Sequence, residues 1–208
     1  MGGQRSMDTN KQVIISIGRE YGSAGHEIAA ILAEKLQMPL YDHNLLDEIA
    51  REKNVLPDKL VKYDEYPRNR IFYRSVNGFS NSPEENVAHM QFEFLKDKAA
   101  KGESFVVVGR CSEEILKEYP GLITFFILGD MDKKIERIQK VRNMSESEAK
   151  SRIYAHDKKR KAYHNYYCSG KWGDSRNYDF SINSSRLGVD ETVEIILQYI
   201  YKRIEQMD

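Results

Sequence analysis

The chain has 208 residues, enough for one domain with a substantial core, and its 32 basic and 32 acidic residues give a net charge of zero. Balanced charge argues against a protein that binds nucleic acid through bulk positive charge, and no apolar run approaches the roughly 20 residues of a membrane span. Two cysteines, Cys111 and Cys168, lie far apart without metal-site spacing, which suits a reduced, cytoplasmic protein.

The chain opens with a predicted leader, a strand and a helix. Residues 1–12 are polar, lack the apolar segment of a signal peptide and predict a flexible leader. The β-branched run at 13–17 is typical of a strand buried on both faces of a parallel sheet. From Gly25 onward, apolar residues recur at helical spacing. A glycine-rich turn therefore joins the first strand to the first helix.

Strands and helices alternate along the rest of the chain. Apolar runs predict further strands at 39–41, 104–108, 122–128 and 178–183. Helical spacing and turn residues predict helices at 43–53, 83–100, 112–118, 146–167 and 190–204, with another after Asp130. This alternation favours an α/β fold, a parallel sheet covered by helices on both faces, in a single domain at 13–208.

Capping residues mark three of the helix starts. Ser82 and Ser145 each stand three residues before a glutamate, which predicts two capping boxes. Asp130 is expected to cap the helix that follows it.

The turn GREYGSAGHE, residues 18–27, carries the most informative pattern. Its three glycines let backbone N–H groups converge on an anion, and the following helix aims the positive end of its dipole at the same place. The pattern G-x-x-x-x-G-K-[ST] is not matched, because Glu20, His26 and Glu27 replace the glycine, the lysine and the hydroxyl residue. A phosphate-binding loop and a plain tight turn both stay open.

Other candidates follow the ends of predicted strands, where α/β sheets bind ligands. Arg110 can grip a phosphate bidentately or form a surface ion pair. Asp42 can face a substrate hydroxyl or a metal-bound water, or cap the next helix. Cys111 has no flanking histidine, which argues against a nucleophilic cysteine.

The predicted helix at 146–167 is strongly basic over residues 151–167. Arg152, Lys159 and Arg160 are spaced for one or two helix faces, so several cations can meet one polyanion. A solvated basic helix is the alternative. The aromatic and basic stretch at 60–80 suits either a substrate or a protein partner.

Together these stretches resemble the cytidylate kinase-like family. The segment IISIGREYGSAGHEIAAILAEKLQMPLYD, residues 14–42, is similar to the opening of that family, whose loop commonly reads S-R-E-Y-G-S-G-G-R-x-I-A. VVVGR at 106–110, DKKR at 157–160 and the motifs between Trp172 and Gly188 extend the resemblance over about 13–204.

The resemblance implies a three-layer α/β/α P-loop NTPase fold with a five-stranded parallel sheet in the order 2-3-1-4-5. It also implies a monophosphate-binding segment at 43–101 and a lid at 143–172. The expected activity is transfer of a phosphoryl group from ATP, with Mg²⁺, to CMP, dCMP or another small acceptor. The expected partners are small phosphate-bearing ligands rather than membranes or nucleic acid. A non-catalytic nucleotide- or anion-binding protein on the same fold is the alternative.

The resemblance also assigns expected roles to residues. Nucleotide binding is expected from Gly22, Ser23, Ala24, Gly25, His26 and Glu27, and acceptor binding from Asp42 and Arg110. Catalytic charge is expected from Arg19, His26, Arg152, Lys159 and Arg160, and no protein metal ligand is predicted. The lysine of true cytidylate kinases is missing, and an unperturbed histidine with a pKa near about 6.5 is mostly neutral at pH 7. Another cation, from Arg19 or the lid, is therefore expected to compensate.

Overall fold

The computed structural model describes residues 11–53, 75–76, 79–80 and 82–207. The first ten residues of the predicted leader and most of the stretch at 60–80 lie outside the described residues. Among the helices that the structure describes, none is long and apolar enough to cross a membrane.

Five parallel strands form the central sheet, and a two-stranded antiparallel hairpin lies apart from it. In chain order the strands are β1 (Ile14–Arg19), β2 (Leu40–Tyr41), β3 (Ser75–Val76), β4 (Phe79–Ser80), β5 (Phe105–Val108), β6 (Leu122–Leu128) and β7 (Phe180–Asn183), with β3 and β4 forming the hairpin. The sheet order is β2-β5-β1-β6-β7. Counted within the sheet alone this is 2-3-1-4-5, so the predicted fold class and strand order are confirmed.

Seven α-helices are seen in the described residues. They are α1 (Gly25–Leu36), α2 (Leu45–Lys53), α3 (Pro83–Ala100), α4 (Ser112–Ile115), α5 (Met131–Arg142), α6 (Glu146–Tyr167) and α7 (Ser184–Glu205). The predicted helix at 112–118 is thus too long. The last helix begins at Ser184 rather than at residue 190, with Gly188 at φ 80° breaking its backbone into two pieces. The sequence missed the first piece because the glycine interrupts the helical spacing.

The capping predictions have two outcomes. Ser145 accepts a hydrogen bond from the Glu148 N–H, and Glu148 accepts one from the Ser145 N–H, which confirms that capping box. Ser82 likewise accepts from the N–H group of Glu85. The predicted side-chain cap by Asp130 is wrong, since its carboxylate accepts from Asn183 Nδ2 at 2.8 Å instead.

Alternate residues of β1 build a core on each face of the sheet. Ile15 and Ile17 pack with α1 and α7 through residues such as Leu32. Ile14 packs on the opposite face with α2 and α3 through residues such as Leu95. Because both faces of the central strand are covered by helices, the site must form at the carboxyl edge of the sheet.

Truncating the core under α1 should destabilise the protein. Leu32 is fully buried, so Leu32→Ala should lower the free energy of unfolding by about 3 kcal/mol through lost burial and a cavity. Leu187→Ala makes the same chemical change at a side chain that is 44% exposed and should cost less than about 0.5 kcal/mol. Urea unfolding of both variants measures the difference, and equal losses would contradict the assigned core.

Candidate active site

The glycine-rich loop enters α1 through left-handed backbone. Gly22 has φ 87°, and a Cβ there would lie 3.1 Å from Lys134 Cβ. Ala24, the N-cap of α1, has φ 61° and no side-chain acceptor for the first-turn N–H groups. Those N–H groups can therefore bind an external anion.

A buried ammonium group lies beneath this loop. Lys134 Nζ is 2.9 Å from Glu20 Oε2 and 3.4 Å from Asp157 Oδ2, and the lysine side chain is only 4% exposed. Asp157 also accepts the Tyr21 N–H at 2.7 Å, and Glu20 accepts the Gly129 N–H at 3.1 Å. The network ties the loop to α5 and α6. Sequence reasoning missed Lys134 because only burial distinguishes it from the other lysines of α5.

Tyr21 joins the loop to the basic helix α6. Its ring stacks on His156, with centroids 4.1 Å apart and planes 9° from parallel. The Arg160 guanidinium lies 5.7 Å from the ring centroid, and Arg152 Nε donates to the Tyr21 hydroxyl at 3.1 Å. Two of the three predicted cations of this helix, Arg152 and Arg160, are thus brought to the loop.

A pocket opens beside the loop at the ends of β1 and β5. Its lining residues are Gly18, Arg19, Gly109, Arg110, Cys111, Glu113, Arg160, Tyr163, His164, Trp172 and Tyr178. Three arginines, Arg19, Arg110 and Arg160, line this one pocket, which suits a phosphate-bearing ligand. Among the described residues, this lining leaves out Lys159 and Arg152.

Arg110 is held in an uncommon backbone geometry. Gly109, Arg110 and Cys111 have φ values of 75°, 60° and 55°, so three consecutive residues are left-handed. Non-glycine residues rarely adopt this region, and such strain clusters at functional sites. The Arg110 side chain is buried, and its guanidinium donates to the Asp42 carbonyl at 3.2 Å. The turn thus fixes Arg110 between the ends of β2 and β5.

His26, at the position of the missing lysine, pairs with Asp42. His26 Nδ1 lies 2.9 Å from Asp42 Oδ2, and His43 Nδ1 lies 2.8 Å from Asp42 Oδ1. The hydrogen bond with Asp42 raises the pKa of His26 above its ordinary value, and partial burial opposes this. Burial opposes ionisation of Asp42 most, yet hydrogen bonds from His26 and the Asn44 N–H lower its pKa to about 2. The pair therefore favours a charged imidazole at the loop.

Asp42 joins the turn before α2 to the glycine-rich loop, and its expected contact with a substrate hydroxyl or a metal-bound water stays a prediction. Its carboxylate accepts the Asn44 N–H at 3.0 Å and so stabilises the turn before α2. The same carboxylate faces the loop through His26. Glu27 pairs with Arg137 of α5, and its expected contact with nucleotide stays a prediction.

Glu113 and His164 form a second close pair at the pocket that the sequence did not predict. His164 Nε2 lies 2.6 Å from Glu113 Oε1, and the Tyr178 hydroxyl donates to the same oxygen at 3.4 Å. Burial opposes the charged imidazole, but hydrogen bonds with Cys168 and Glu113 raise the pKa of His164 to about 10. No local signal reveals this pair, since its members come from α4 and α6.

Comparison with known proteins agrees with this geometry. Residues 14–186 match the model of the cytidylate kinase-like family. The chain belongs to the cytidylate kinase-like family. This confirms the resemblance noted in the sequence. No curated protein gives a significant match to this cytidylate kinase-like chain.

Solved structures show the same architecture. An uncharacterized protein from Eubacterium ventriosum ATCC 27560 is 40% identical, with a TM-score of 0.73 over 91% of this chain and 98% of that chain. Shikimate kinase from Acinetobacter baumannii, solved with shikimate, is 15% identical with a TM-score of 0.53 over 93% and 94% of the two chains. A gluconokinase from Sinorhizobium meliloti 1021 is 13% identical with a TM-score of 0.55 over 93% and 94%. Because the sequence identities are this low, the similarity to these two kinases shows only a shared fold.

Removing the buried ammonium should loosen the loop and destabilise the protein. Lys134→Met leaves Glu20 and Asp157 without the ammonium that they share, and we expect a loss of about 3 kcal/mol in the free energy of unfolding. Lys133→Met removes an exposed lysine from the same helix and should cost less than about 0.5 kcal/mol. Chemical denaturation compares the two variants. A Lys134→Met protein as stable as Lys133→Met would show that the network does not hold the loop.

Proposed function

We propose that this cytidylate kinase-like protein is an ATP-dependent phosphotransferase that acts on a small phosphate-bearing acceptor, a nucleoside monophosphate such as CMP or dCMP. One observation supports it most: the open N-terminus of α1 adjoins a pocket that holds Arg19, Arg110 and Arg160. Phosphoryl transfer needs positioning and positive charge more than covalent chemistry, and this edge of the sheet supplies both.

The loop would bind the phosphates of ATP. The backbone N–H groups near Ala24, Gly25 and His26 lie at the positive end of α1, where no side-chain cap occupies them. His26 adds a charge that its contact with Asp42 favours. These features fit a polyphosphate even though the lysine is missing.

The described donors at the loop do not build a Mg²⁺ site of their own. Mg²⁺ prefers oxygen ligands in octahedral geometry. Both Asp42 oxygens are engaged by imidazoles, and Glu27, which stands where a hydroxyl residue would reach the ion, is paired with Arg137. Mg²⁺ is therefore proposed only as the companion of the nucleotide phosphates.

The acceptor would bind in the arginine pocket. Arg110 is fixed between β2 and β5 and is suited to grip a monophosphate bidentately. Arg19 and Arg160 meet where Arg160 donates to the Arg19 carbonyl at 3.4 Å, so both can stabilise charge that develops during transfer. Arg152 would act nearby through Tyr21. The role of Lys159 stays a prediction.

A binding protein without turnover is the second candidate. His26 and Glu27 stand where a phosphate-binding loop ordinarily carries its lysine and its hydroxyl residue. Both are already paired, His26 with Asp42 and Glu27 with Arg137. On this alternative, ATP binds and shifts the melting temperature, but no acceptor is phosphorylated.

The activity and the role of Arg110 can be tested together. The wild-type protein should form ADP from ATP only when one member of a panel of nucleoside monophosphates is present. Arg110→Lys keeps the charge but loses the bidentate geometry and should lower kcat/KM by about 100-fold. Arg176→Lys, at a side chain that is 85% exposed, is the matched control and should match wild type. ATP binding without ADP formation for any acceptor would favour the binding protein.

The role of His26 predicts a pH dependence. Because its pKa is raised, His26 is charged below that pKa and loses its charge as the pH rises through it. We expect the wild-type Kd for ATP to rise by about tenfold between about pH 6 and about pH 9, since a hydrogen bond to a charged group is worth roughly 1.5 kcal/mol. His26→Lys stays charged and should give a flatter profile.

Calorimetric titration with ATP at several pH values measures this effect. His43→Gln is the control, since it removes the other imidazole on Asp42 and should retain the wild-type slope. Identical pH profiles for wild type and His26→Lys would rule out His26 as the cation that replaces lysine.

A further inference from the structure

The fold brings together two cysteines that lie far apart in the sequence. Cys111 follows β5, and Cys168 ends α6 as its C-cap. Cys168 packs against the buried cluster that contains Cys111, and the two thiols hydrogen-bond to each other. Neither forms a disulfide bond. Spacing along the chain gave no sign of this pair, because folding alone creates it.

Two further metal-ligating side chains adjoin the thiols. His164 lies one helical turn before Cys168, so the two residues face the same side of α6. Glu113 comes from the first turn of α4, and its side chain is 6% exposed while that of His164 is 7% exposed. The ligand atoms of Glu113, His164 and Cys168 all lie within 4.8 Å of one another, and Cys111 lies outside this group.

We propose that Glu113, His164 and Cys168 form a binding site for Zn²⁺ or a similar thiolate-preferring divalent metal, which the neighbouring Cys111 thiol completes by moving toward the ion. Zn²⁺ takes sulfur, nitrogen and carboxylate oxygen in tetrahedral geometry. Four such ligands around one ion lie about 3.3 to 3.8 Å apart, as follows from metal–ligand distances of about 2.0 to 2.3 Å. The 2.6 Å contact of His164 with Glu113 must therefore open by less than an ångström to admit the ion.

The surroundings of His164 also suit a ligand. Its Nε2 faces the cluster, and its Nδ1 lies 3.4 Å from Asn165 Oδ1. Asn165 Oδ1 in turn accepts the Trp172 N–H at 2.9 Å. A metal-ligating histidine commonly donates its second ring N–H to an acceptor of this kind, which fixes the ring. Tyr163 and Phe92 close the apolar side of the site.

The proposed metal site lies next to two arginines of the pocket. Cys111 is adjacent to Arg110 in the left-handed turn, and Cys168 ends the helix that carries Arg160. A bound metal would cross-link the end of α6 to the turn after β5. This is a proposal about metal binding and does not depend on phosphoryl transfer.

Cobalt and zinc titrations of the full, tag-free chain test the proposal. The protein is reduced, freed of metal with a chelator and titrated with Co²⁺. We expect one ion per chain, a near-ultraviolet thiolate-to-cobalt absorption band and its loss when Zn²⁺ displaces the cobalt. Cys111→Ser and Cys168→Ser should each weaken Zn²⁺ binding by about 100-fold or more and roughly halve the band.

His43→Ala serves as the control variant. The ligand atoms of His26, Asp42 and His43 also lie within 4.8 Å of one another, so this second cluster must be distinguished. The proposal requires wild-type cobalt and zinc binding in His43→Ala. Absence of a thiolate band in the wild type, or binding lost in His43→Ala and retained in Cys168→Ser, would overturn it.

If the serine variants fail to fold, a measurement on the wild-type protein tests the proposed metal site. X-ray absorption at the zinc edge of the zinc-loaded wild type counts sulfur ligands directly. Two sulfur ligands support the site, and a shell of nitrogen and oxygen alone overturns it.

Discussion

The buried ammonium of Lys134 is the contact on which the two sides of the site depend. It is shared by Glu20 of the loop and Asp157 of α6, and both carboxylates also accept backbone N–H groups. A buried charge is stable only when oppositely charged groups lie close to it. Removing one partner of these ion pairs therefore lowers the free energy of unfolding. These contacts fix the distance between the glycine-rich loop and the arginines of α6.

The site assembles local positive charge within a chain of zero net charge. The N-terminus of α1 contributes through backbone N–H groups, and Arg19, Arg110 and Arg160 contribute side chains from three separate elements. His26 does not copy a lysine, because its charge depends on the carboxylate of Asp42. On the proposed function, the loop binds phosphate without its lysine, and this binding becomes sensitive to pH.

Features set by local sequence could be predicted, and features set by distant contacts could not. The buried run of β1, the glycines of the loop and the capping box at Ser145 each determine nearby backbone, so pattern predicted these elements and the edge of the sheet. The strand order was predicted from the family resemblance. The burial of Lys134 depends on packing between α5, α6 and the loop. The meeting of Cys111 with Cys168 depends on where α6 ends in space. Neither leaves a trace in spacing or periodicity.

A crystal structure with a non-hydrolysable ATP analogue and CMP tests the central claim most directly, namely that the altered loop and the arginine pocket form one phosphoryl-transfer site. We expect the terminal phosphates of the analogue on the N–H groups at the start of α1, with His26 turned toward them. The CMP phosphate should lie among Arg19, Arg110 and Arg160. Phosphates bound away from α1, or a nucleotide whose base rather than phosphate fills the arginine pocket, would contradict it.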